Sequence, residues 1–369
     1  MTDTDQATAT PSAKLLSPLT IRGVTLRNRI GVSPMCQYCC EGGLADEWHL
    51  VHLGSRAVGG AGIVFVEATA VTPVGRISSG DMGLWSEAHG QALAPIAAFC
   101  RRMGAVPGIQ LAHAGRKASC QPPWTGGARI TDKLDGGWDV LAPSAIPFAQ
   151  GEPLPVALDL AGIAAVKEAF VAAAKRAVAA GFAVIELHAA HGYLMHQFLS
   201  PLSNTRDDAY GGSLANRMRL PLETAEAIRA VIPAGMPLFT RISATDWVEG
   251  GWDLEQSVVL CKELAARGVD LIDVSSGALV PHARIPVAPG YQVPFAAAVR
   301  KRAGVLTSAV GLITEPAQAE AIVASGQADM VMLARQMLRT PYWAITAQQQ
   351  LGGEELWPTQ YGYAVKRRP

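Results

Sequence analysis

Two histidines and a tyrosine stand close together near the middle of the chain. His188 and His191 are three residues apart, and Tyr193 follows after one glycine. Imidazoles can donate hydrogen bonds, exchange protons near neutral pH or bind a metal, and a phenol can donate a proton. The residues 184–187 before them, Val-Ile-Glu-Leu, are typical of a short buried strand. A strand followed by such a loop indicates chemistry at the carboxyl end of a sheet.

The rest of the chain alternates strand and helix patterns eight times. Each predicted strand is a short run rich in Val, Ile and Leu, as expected for a parallel sheet that is buried on both faces. Strands are predicted at 29–33, 62–67, 106–112, 184–187, 238–242, 271–274, 305–309 and 330–333. Helices are predicted at 47–59, 86–103, 160–180, 216–231, 254–267, 293–302, 315–325 and 342–350.

Eight such units favour a (β/α)8 TIM barrel with an extended loop after strand 4. An open doubly wound sheet with a second domain is the alternative, but no composition break or linker supports it. We expect residues 1–13 to be a disordered tail and residues 14–369 to form a single domain.

The composition of the chain excludes several classes of function. The chain is 49% hydrophobic and 17% charged with a net charge of zero, which predicts a large core and no affinity for nucleic acid or anionic membranes. No apolar run approaches the roughly 20 residues of a membrane span. The six cysteines lack the spacing of a disulfide framework, and the polar N-terminus is not a signal peptide. These features predict a cytoplasmic protein that acts on small molecules.

Polar or small residues follow nearly every predicted strand, where barrel enzymes keep their active sites. After strands 7 and 8, Ala309 and Gly311 precede Ala334 and Arg335, which matches the phosphate site common in such barrels. No G-x-G-x-x-G or Walker loop occurs, and no lysine ends a strand as a pyridoxal phosphate site would need. Flavin mononucleotide (FMN) remains among the candidates, and Gln110 and Arg241 could hydrogen-bond its ring.

Five stretches resemble the old yellow enzyme family, within it the bacterial branch of the xenobiotic reductases. They are PMCQY (34–38), VEATAV (66–71), IQLAHAGRKA (109–118), the block 186–219 and LARQML (333–338). The resemblance implies a (β/α)8 barrel, non-covalent FMN, NADPH or NADH as hydride donor, and reduction of electron-poor alkenes such as enones, maleimides and nitro compounds.

The resemblance also implies roles for single residues. His188, His191 and Tyr38 would bind the substrate's oxygen, Tyr193 would protonate the α-carbon, and Cys36 would tune the flavin. The implied FMN contacts are Ser33, Pro34, Met35, Cys36, Ala68, Gln110, His188, Arg241, Ala309, Gly311, Ala334 and Arg335.

Other interpretations of the same residues stay open. His188 and His191 could serve a flavin-free lyase or hydrolase, with or without a metal, or the barrel could merely bind a phosphate ligand. The spacing Cys36-x-x-Cys39 is best explained as coincidence because no second pair occurs. Arg116 and Lys117 could be a solvated loop or a contact for the nicotinamide cofactor. His49 and His52 are expected on one helix face, and 207–217 is expected to be structural.

Two positions depart from the family pattern. Val310 stands where close relatives have a tryptophan at the wall of the substrate pocket, which predicts a roomier pocket. Tyr363 stands where some relatives have an arginine that reaches a neighbour's active site. The resemblance therefore implies a homodimer or homotetramer, in which Tyr363 could complete a partner's site.

Overall fold

The computed structural model describes residues 13–365 and confirms the predicted barrel. The tail predicted for residues 1–13 lies, except for Ala13, outside the described residues. The strands are β1 (Leu19–Ile21), β2 (Val24–Leu26), β3 (Ile30–Val32), β4 (Ile63–Ala70), β5 (Val106–Ala112), β6 (Leu141–Ala142), β7 (Val156–Ala157), β8 (Val184–Ala189), β9 (Leu238–Ser243), β10 (Leu271–Ser275), β11 (Leu306–Ala309) and β12 (Met330–Leu333).

Eight of these strands close the barrel in the order β3-β4-β5-β8-β9-β10-β11-β12, and all neighbours are parallel. The helices are α1 (Glu47–Val58), α2 (Glu87–Arg102), α3 (Leu160–Ala179), α4 (Leu194–Leu199), α5 (Leu214–Val231), α6 (Leu254–Ala266), α7 (Val293–Ala303), α8 (Pro316–Ala324), α9 (Arg335–Arg339), α10 (Trp343–Gln350) and α11 (Gly362–Val365).

The outer helices form because their sequences combine a cap with an apolar stripe. In α3 the side chain of Asp159 accepts a hydrogen bond from the Gly162 amide and satisfies one of the free N–H groups at the helix start. Ile163, Val166 and Phe170 repeat at helical spacing and are buried against the barrel. Asp253 caps α6 and Ser213 caps α5 in the same way, which explains why α5 begins at Leu214 rather than at the predicted 216.

Inside the barrel, an apolar layer lies below a polar one. Phe65, Phe239, Leu271 and Met332 point inward in the lower layer, and the rings of Phe65 and Phe239 are 5.9 Å apart. The hairpin β1–β2 packs onto this layer through Leu19, Ile21 and Leu26. Since side chains alternate along a strand, the next inward positions two residues later form the upper layer beside the active-site mouth. These positions are Gln110, Glu186, Arg241, Asp273 and Ser308.

A β-bulge in β4 changes which side chains face the mouth. The pairing with β5 shifts register between Val66 and Ala68, so β4 continues to Ala70 instead of ending at the predicted residue 67. A bulge inserts an extra residue and re-aims its neighbours. Ala68 thereby takes the inward position, and the Glu67 carboxylate lies against His49 of α1.

The longest connection precedes the extended loop that the sequence predicted. The extended loop after the fourth barrel strand, β8, is present and contains α4. However, residues 113–159 between β5 and α3 form a longer excursion, which carries β6, β7 and two short 3₁₀ helices over the barrel mouth. Among residues 13–365, no helix combines the length and the apolar composition that crossing a bilayer requires.

Candidate active site

The loop after β8 places three predicted residues together at the barrel mouth. The rings of His188 and His191 meet edge to face with centroids 5.1 Å apart, and the His188 and Tyr193 rings do so at 5.0 Å. His191 has φ of +59°, a left-handed conformation that is uncommon for non-glycine residues and is often found at functional sites. The structure thus brings these three side chains together.

A buried contact between a histidine and an aspartate holds this loop from below. His196 of α4 accepts a hydrogen bond from the Gly192 amide with Nδ1, and its Nε2 lies 2.9 Å from Asp246 Oδ1. Asp246 in turn accepts hydrogen bonds from Ser200 and from the Trp252 amide. None of these groups is solvent-exposed. Breaking this network would leave buried polar groups without partners, so it fixes the loop in place.

Burial sets the protonation of the three side chains. It lowers the pKa of His188 and of His191 well below the usual value for histidine, and the charge of Arg241 lowers both further. Burial also raises the pKa of Tyr193 well above its ordinary value. At neutral pH the site therefore contains two neutral imidazoles and a protonated phenol.

The loop after β3 contributes a second tyrosine, Tyr38, to the site. Tyr38 and Tyr193 both line a cavity of about 270 Å³ beneath the 113–159 excursion, together with Lys117 and Phe148. Tyr38 also has a left-handed backbone, with φ of +56°, and its ring contacts Trp124 edge to face. Cys36 precedes it, and burial, with Asp81 and Glu67 nearby, raises the pKa of the Cys36 thiol well above its usual range.

Arg116 and Lys117 are not a solvated loop. Arg116 donates hydrogen bonds to the Ile146, Pro147 and Leu279 carbonyls, and only 2% of it is exposed. Lys117 donates to the carbonyls of His191 and Ala278 and lies over the Tyr193 ring. Both residues tie the mouth loops together.

The polar layer connects several predicted cofactor contacts. Arg241 Nη1 donates to Ser33 Oγ at 3.1 Å, and Arg241 Nε lies 3.1 Å from Asp273 Oδ2. Gln110 donates to Glu186 Oε1 at 2.6 Å. Burial, reinforced by the charge of Asp273, raises the pKa of Glu186 to about 8, although Arg241 acts in the opposite direction.

A cavity of about 260 Å³ lies at the ends of β10, β11 and β12. Gly311, Ala334 and Arg335 line it as the sequence predicted for a phosphate, and Ala309 ends β11 beside it. Gly311 has φ of +120°, and a Cβ atom there would come within 2.8 Å of Gln292 Nε2. Arg335 thus lies beside a backbone conformation that only glycine adopts readily, and this combination fits the phosphate end of FMN. The donors of Gln110 and Arg241 fit the polar edge of its ring.

The remaining predicted contacts lie around the same mouth. Pro34 and Met35 follow β3, and Ala68 points inward after the bulge. Val310 does not line the Tyr38–Tyr193 cavity, and the roomier substrate pocket expected from it stays a prediction. Because Val310 continues the inward-facing positions of β11, it lies beside Met332 and lines the cavity near Arg335.

Sequence reasoning gave no role to the residues that orient these groups. Ser243 accepts a hydrogen bond from the His191 amide, Ser275 Oγ lies 2.7 Å from His191 Nε2, and Gln292 accepts from Ser276 at 2.6 Å. Glu186 and Asp273 could have been noticed, because a carboxylate inside an apolar strand is unusual. Gln292 lies in an irregular segment before α7, where no pattern marks it.

Comparison with known proteins agrees with this geometry. A sequence model described as the NADH:flavin oxidoreductase / NADH oxidase family matches residues 14–354. The chain belongs to this family. It is 50% identical to an NADPH dehydrogenase of Geobacillus sp. (strain WCH70) over 92% of this chain and 94% of that protein. The predicted FMN cofactor and oxidoreductase class are thereby confirmed, and the flavin-free lyase or hydrolase interpretation is rejected.

Solved structures give the same picture. Morphinone reductase is 26% identical, with a TM-score of 0.77 over 94% of this chain and 92% of that chain. An old yellow enzyme homologue from Zymomonas mobilis has a TM-score of 0.75 over 96% of this chain and 100% of that one, and at 23% identity it supports the fold alone. The resemblance of this flavin oxidoreductase to the old yellow enzyme family is confirmed.

Proposed function

We propose that this flavin oxidoreductase is an ene-reductase, which reduces the activated C=C bond of α,β-unsaturated carbonyl and nitro compounds with electrons from NADPH. The observation that supports it is the meeting of His188, His191 and Tyr193 at the mouth. Two neutral hydrogen-bond donors beside a protonated phenol suit a substrate whose oxygen gains negative charge while its α-carbon takes up a proton.

The hydrogen bonds around each imidazole determine which nitrogen is free for the substrate. His188 Nδ1 accepts from the Ala190 amide at 3.2 Å, so Nε2 carries the proton of the neutral ring. For His191, Nε2 lies 2.7 Å from Ser275 Oγ, and the single proton of Ser275 can go either to this nitrogen or to Gln292 Oε1, which is 3.3 Å away. We assign the Ser275 proton to the shorter contact, which leaves Nδ1–H of His191 for the substrate.

When bound, FMN would supply a ring that can both accept and donate a hydride. We propose that Arg335, Gly311, Ala334 and Ala309 bind its phosphate end and that Gln110, Arg241, Ser33, Pro34, Met35, Ala68 and His188 surround its ring. His188 and His191 polarise the substrate oxygen, Tyr38 contacts the same oxygen, and Tyr193 donates the proton to the α-carbon. A protonated, partly buried Cys36 acts as a polarisable contact that tunes the flavin and not as a nucleophile.

The names of the similar dehydrogenases support NADPH as the reductant. Enones, maleimides and nitro compounds are the proposed substrates because the aromatic rings of Tyr38, Phe148 and Tyr193 line the cavity, which suits flat compounds with one polar end. A homodimer or homotetramer in the cytoplasm remains our prediction.

An anaerobic titration tests the proposal. Purified FMN-bound protein is reduced with NADPH while its visible spectrum is followed, and 2-cyclohexenone is then added. We expect NADPH to bleach the flavin band and the enone to restore it with formation of cyclohexanone. If NADPH bleaches the band but neither the enone nor a maleimide or nitroalkene restores it, the protein is a flavin oxidoreductase with another acceptor.

A further inference from the structure

Lys117 holds an ammonium group beside Tyr193, the proposed proton donor. Its Nζ atom lies 5.3 Å from the centroid of the Tyr193 ring and 4.8 Å from that of the Phe148 ring, over the face of each. It donates hydrogen bonds to the carbonyl oxygens of His191 at 2.8 Å and Ala278 at 2.9 Å. Because an ammonium has three N–H groups, these two bonds leave one for the aromatic rings.

Neutral groups hold the charge of Lys117. Within residues 13–365 it forms no salt bridge with a carboxylate, and both of its acceptors are backbone carbonyls. Burial lowers the pKa of Lys117 to about 8, with Cys120 opposing this shift and the charge of Arg116 adding to it. At neutral pH the side chain is therefore still a cation. The titratable and charged groups around it are Arg116, Cys120, His188, His191, Tyr193, Tyr38, Arg129 and Glu152.

The proposed proton transfer turns Tyr193 into an anion next to this cation. When the α-carbon of the enolate takes the phenol proton, the O–H bond breaks, a C–H bond forms and a phenolate remains until solvent returns the proton. Burial disfavours that phenolate, since it raises the pKa of Tyr193 well above its ordinary value. A cation over the ring counteracts this effect, because the negative charge of a phenolate spreads into the ring.

We propose that Lys117 is a positioning residue for this step, which stabilises the phenolate that Tyr193 becomes and fixes the loop after β8 through the His191 carbonyl. The role rests on the proposed ene-reductase function, in which Tyr193 is the proton donor. It also gives the excursion 113–159 a task in the reaction, because this segment carries both Lys117 and Phe148 to the Tyr193 ring.

The test follows the two half-reactions of the FMN-bound protein by stopped-flow absorbance. Lys117→Met keeps a long side chain without the charge. We expect it to slow reoxidation of the reduced flavin by 2-cyclohexenone by roughly 5- to 30-fold, as loss of a cation over an aromatic face predicts, and to leave reduction by NADPH unchanged. Lys133→Met is the matched control with both rates unchanged, because it removes an exposed lysine of the same excursion that pairs with Asp139.

Two further measurements separate this role from the mere fastening of loops. In the Tyr193→Phe background, Lys117→Met should cause no further slowing, because the anion that Lys117 stabilises no longer forms. In the unmodified protein, reoxidation should slow as pH rises through about 8, where the ammonium loses its proton. The rate of Lys117→Met should stay low across this range, and Lys117→Arg should stay fast, because a guanidinium keeps its charge and stacks on aromatic rings.

Three results would overturn the role of Lys117. They are an unchanged reoxidation rate in Lys117→Met, an equal slowing with and without the Tyr193 hydroxyl, and a loss of rate above pH 8 that persists in Lys117→Met. Such a persistent loss would belong to another group, such as Glu186, whose pKa is also about 8. If no enone, maleimide or nitro compound reoxidises the unmodified protein, the proposed function and this role are both wrong. Reoxidation that does not depend on Lys117 contradicts this role alone.

Discussion

The Nε2 atom of His191 lies 2.7 Å from the hydroxyl oxygen of Ser275, the last residue of β10, which is two strands away from β8 in the barrel. If Ser275 donates to Nε2, only Nδ1–H remains for the substrate. Removal of the hydroxyl would let the ring take either tautomer.

Ser275→Ala should therefore raise KM for 2-cyclohexenone by roughly fivefold, which corresponds to one hydrogen bond of about 1 kcal/mol. The measurement is steady-state kinetics at saturating NADPH with FMN bound. Ser276→Ala is the matched control, because its hydroxyl contacts Gln292 but not His191. Equal KM values for both variants would contradict the assignment.

Tyr193→Phe should slow reoxidation of the reduced flavin by the enone by roughly 10²- to 10⁴-fold, since it removes the proposed proton donor but keeps the ring. Reduction of the flavin by NADPH should be unaffected, and stopped-flow absorbance separates the two half-reactions. Tyr210→Phe is the control, because the Tyr210 hydroxyl contacts Glu223 outside the mouth. If reoxidation is as fast in Tyr193→Phe as in the control, another group donates the proton.

Gly311→Ala should weaken FMN binding by at least about tenfold. The added Cβ would crowd Gln292, and a left-handed backbone costs a non-glycine residue about 1–3 kcal/mol. Titration of the apoprotein, followed by the quenching of FMN fluorescence, measures the affinity. Gly304→Ala separates the two causes, because Gly304 also has a positive φ, +68°, but nothing lies within 4 Å of its added Cβ. The same loss in both variants would show that backbone strain alone, and not the cavity, is responsible.

Glu186 makes the stability of the apoprotein depend on pH. Its folded-state pKa of about 8 exceeds the value of 4.5 for a free glutamate, so the folded chain holds a proton that the unfolded chain releases between these values. This contribution to the free energy of unfolding is complete below pH 4.5 and is lost as pH rises through 8. Urea unfolding of the apoprotein from pH 4.5 to 9 should show this loss relative to Glu186→Gln, which cannot titrate. A constant difference between the two proteins across this range would refute it.

Tyr363 is 88% exposed in a single chain, at the start of the four-residue helix α11. If it reaches a partner's active site, Tyr363→Ala should raise KM for the enone several-fold without changing the sedimentation coefficient. Removal of the chain after Trp357 should do the same or also dissociate the oligomer. Unchanged association and activity in the truncated protein would rule out this role.

The barrel could be predicted from the sequence because parallel strands buried on both faces leave runs such as Val184 to Leu187, and because the residues after each strand must share one rim. Contacts between distant segments leave no such pattern in the sequence. The Ser275–His191 contact joins residues 84 positions apart, and nothing local at Ser275 indicates its partner. The same holds for Arg116 and Lys117, whose charge suggested solvent although the 113–159 excursion buries them.

The direction of the Val310 side chain could not be predicted, for a different reason. A resemblance gives a position along the chain, but the direction of a side chain depends on the strand register. One residue of register reverses the face of the sheet, and the inward alternation of β11 carries Val310 to the cavity near Arg335. The bulge at Val66 and Ala68 shows the same limit, because an inserted residue in a strand is invisible to a period-2 pattern.

The β1–β2 hairpin also has a consequence for how the chain is made. Leu19 and Ile21 leave the ribosome early, yet they pack on Met330 and Met332 of the final barrel strand. Phe65, Phe239 and Leu271 of earlier strands cover part of the hairpin's apolar surface, but the lower layer of the barrel is complete only after the last strand has emerged. Such long-range contacts slow folding and leave partly made chains prone to aggregate. A chain truncated before β12 would lack Met330 and Met332, so part of the lower apolar layer of the barrel would stay exposed.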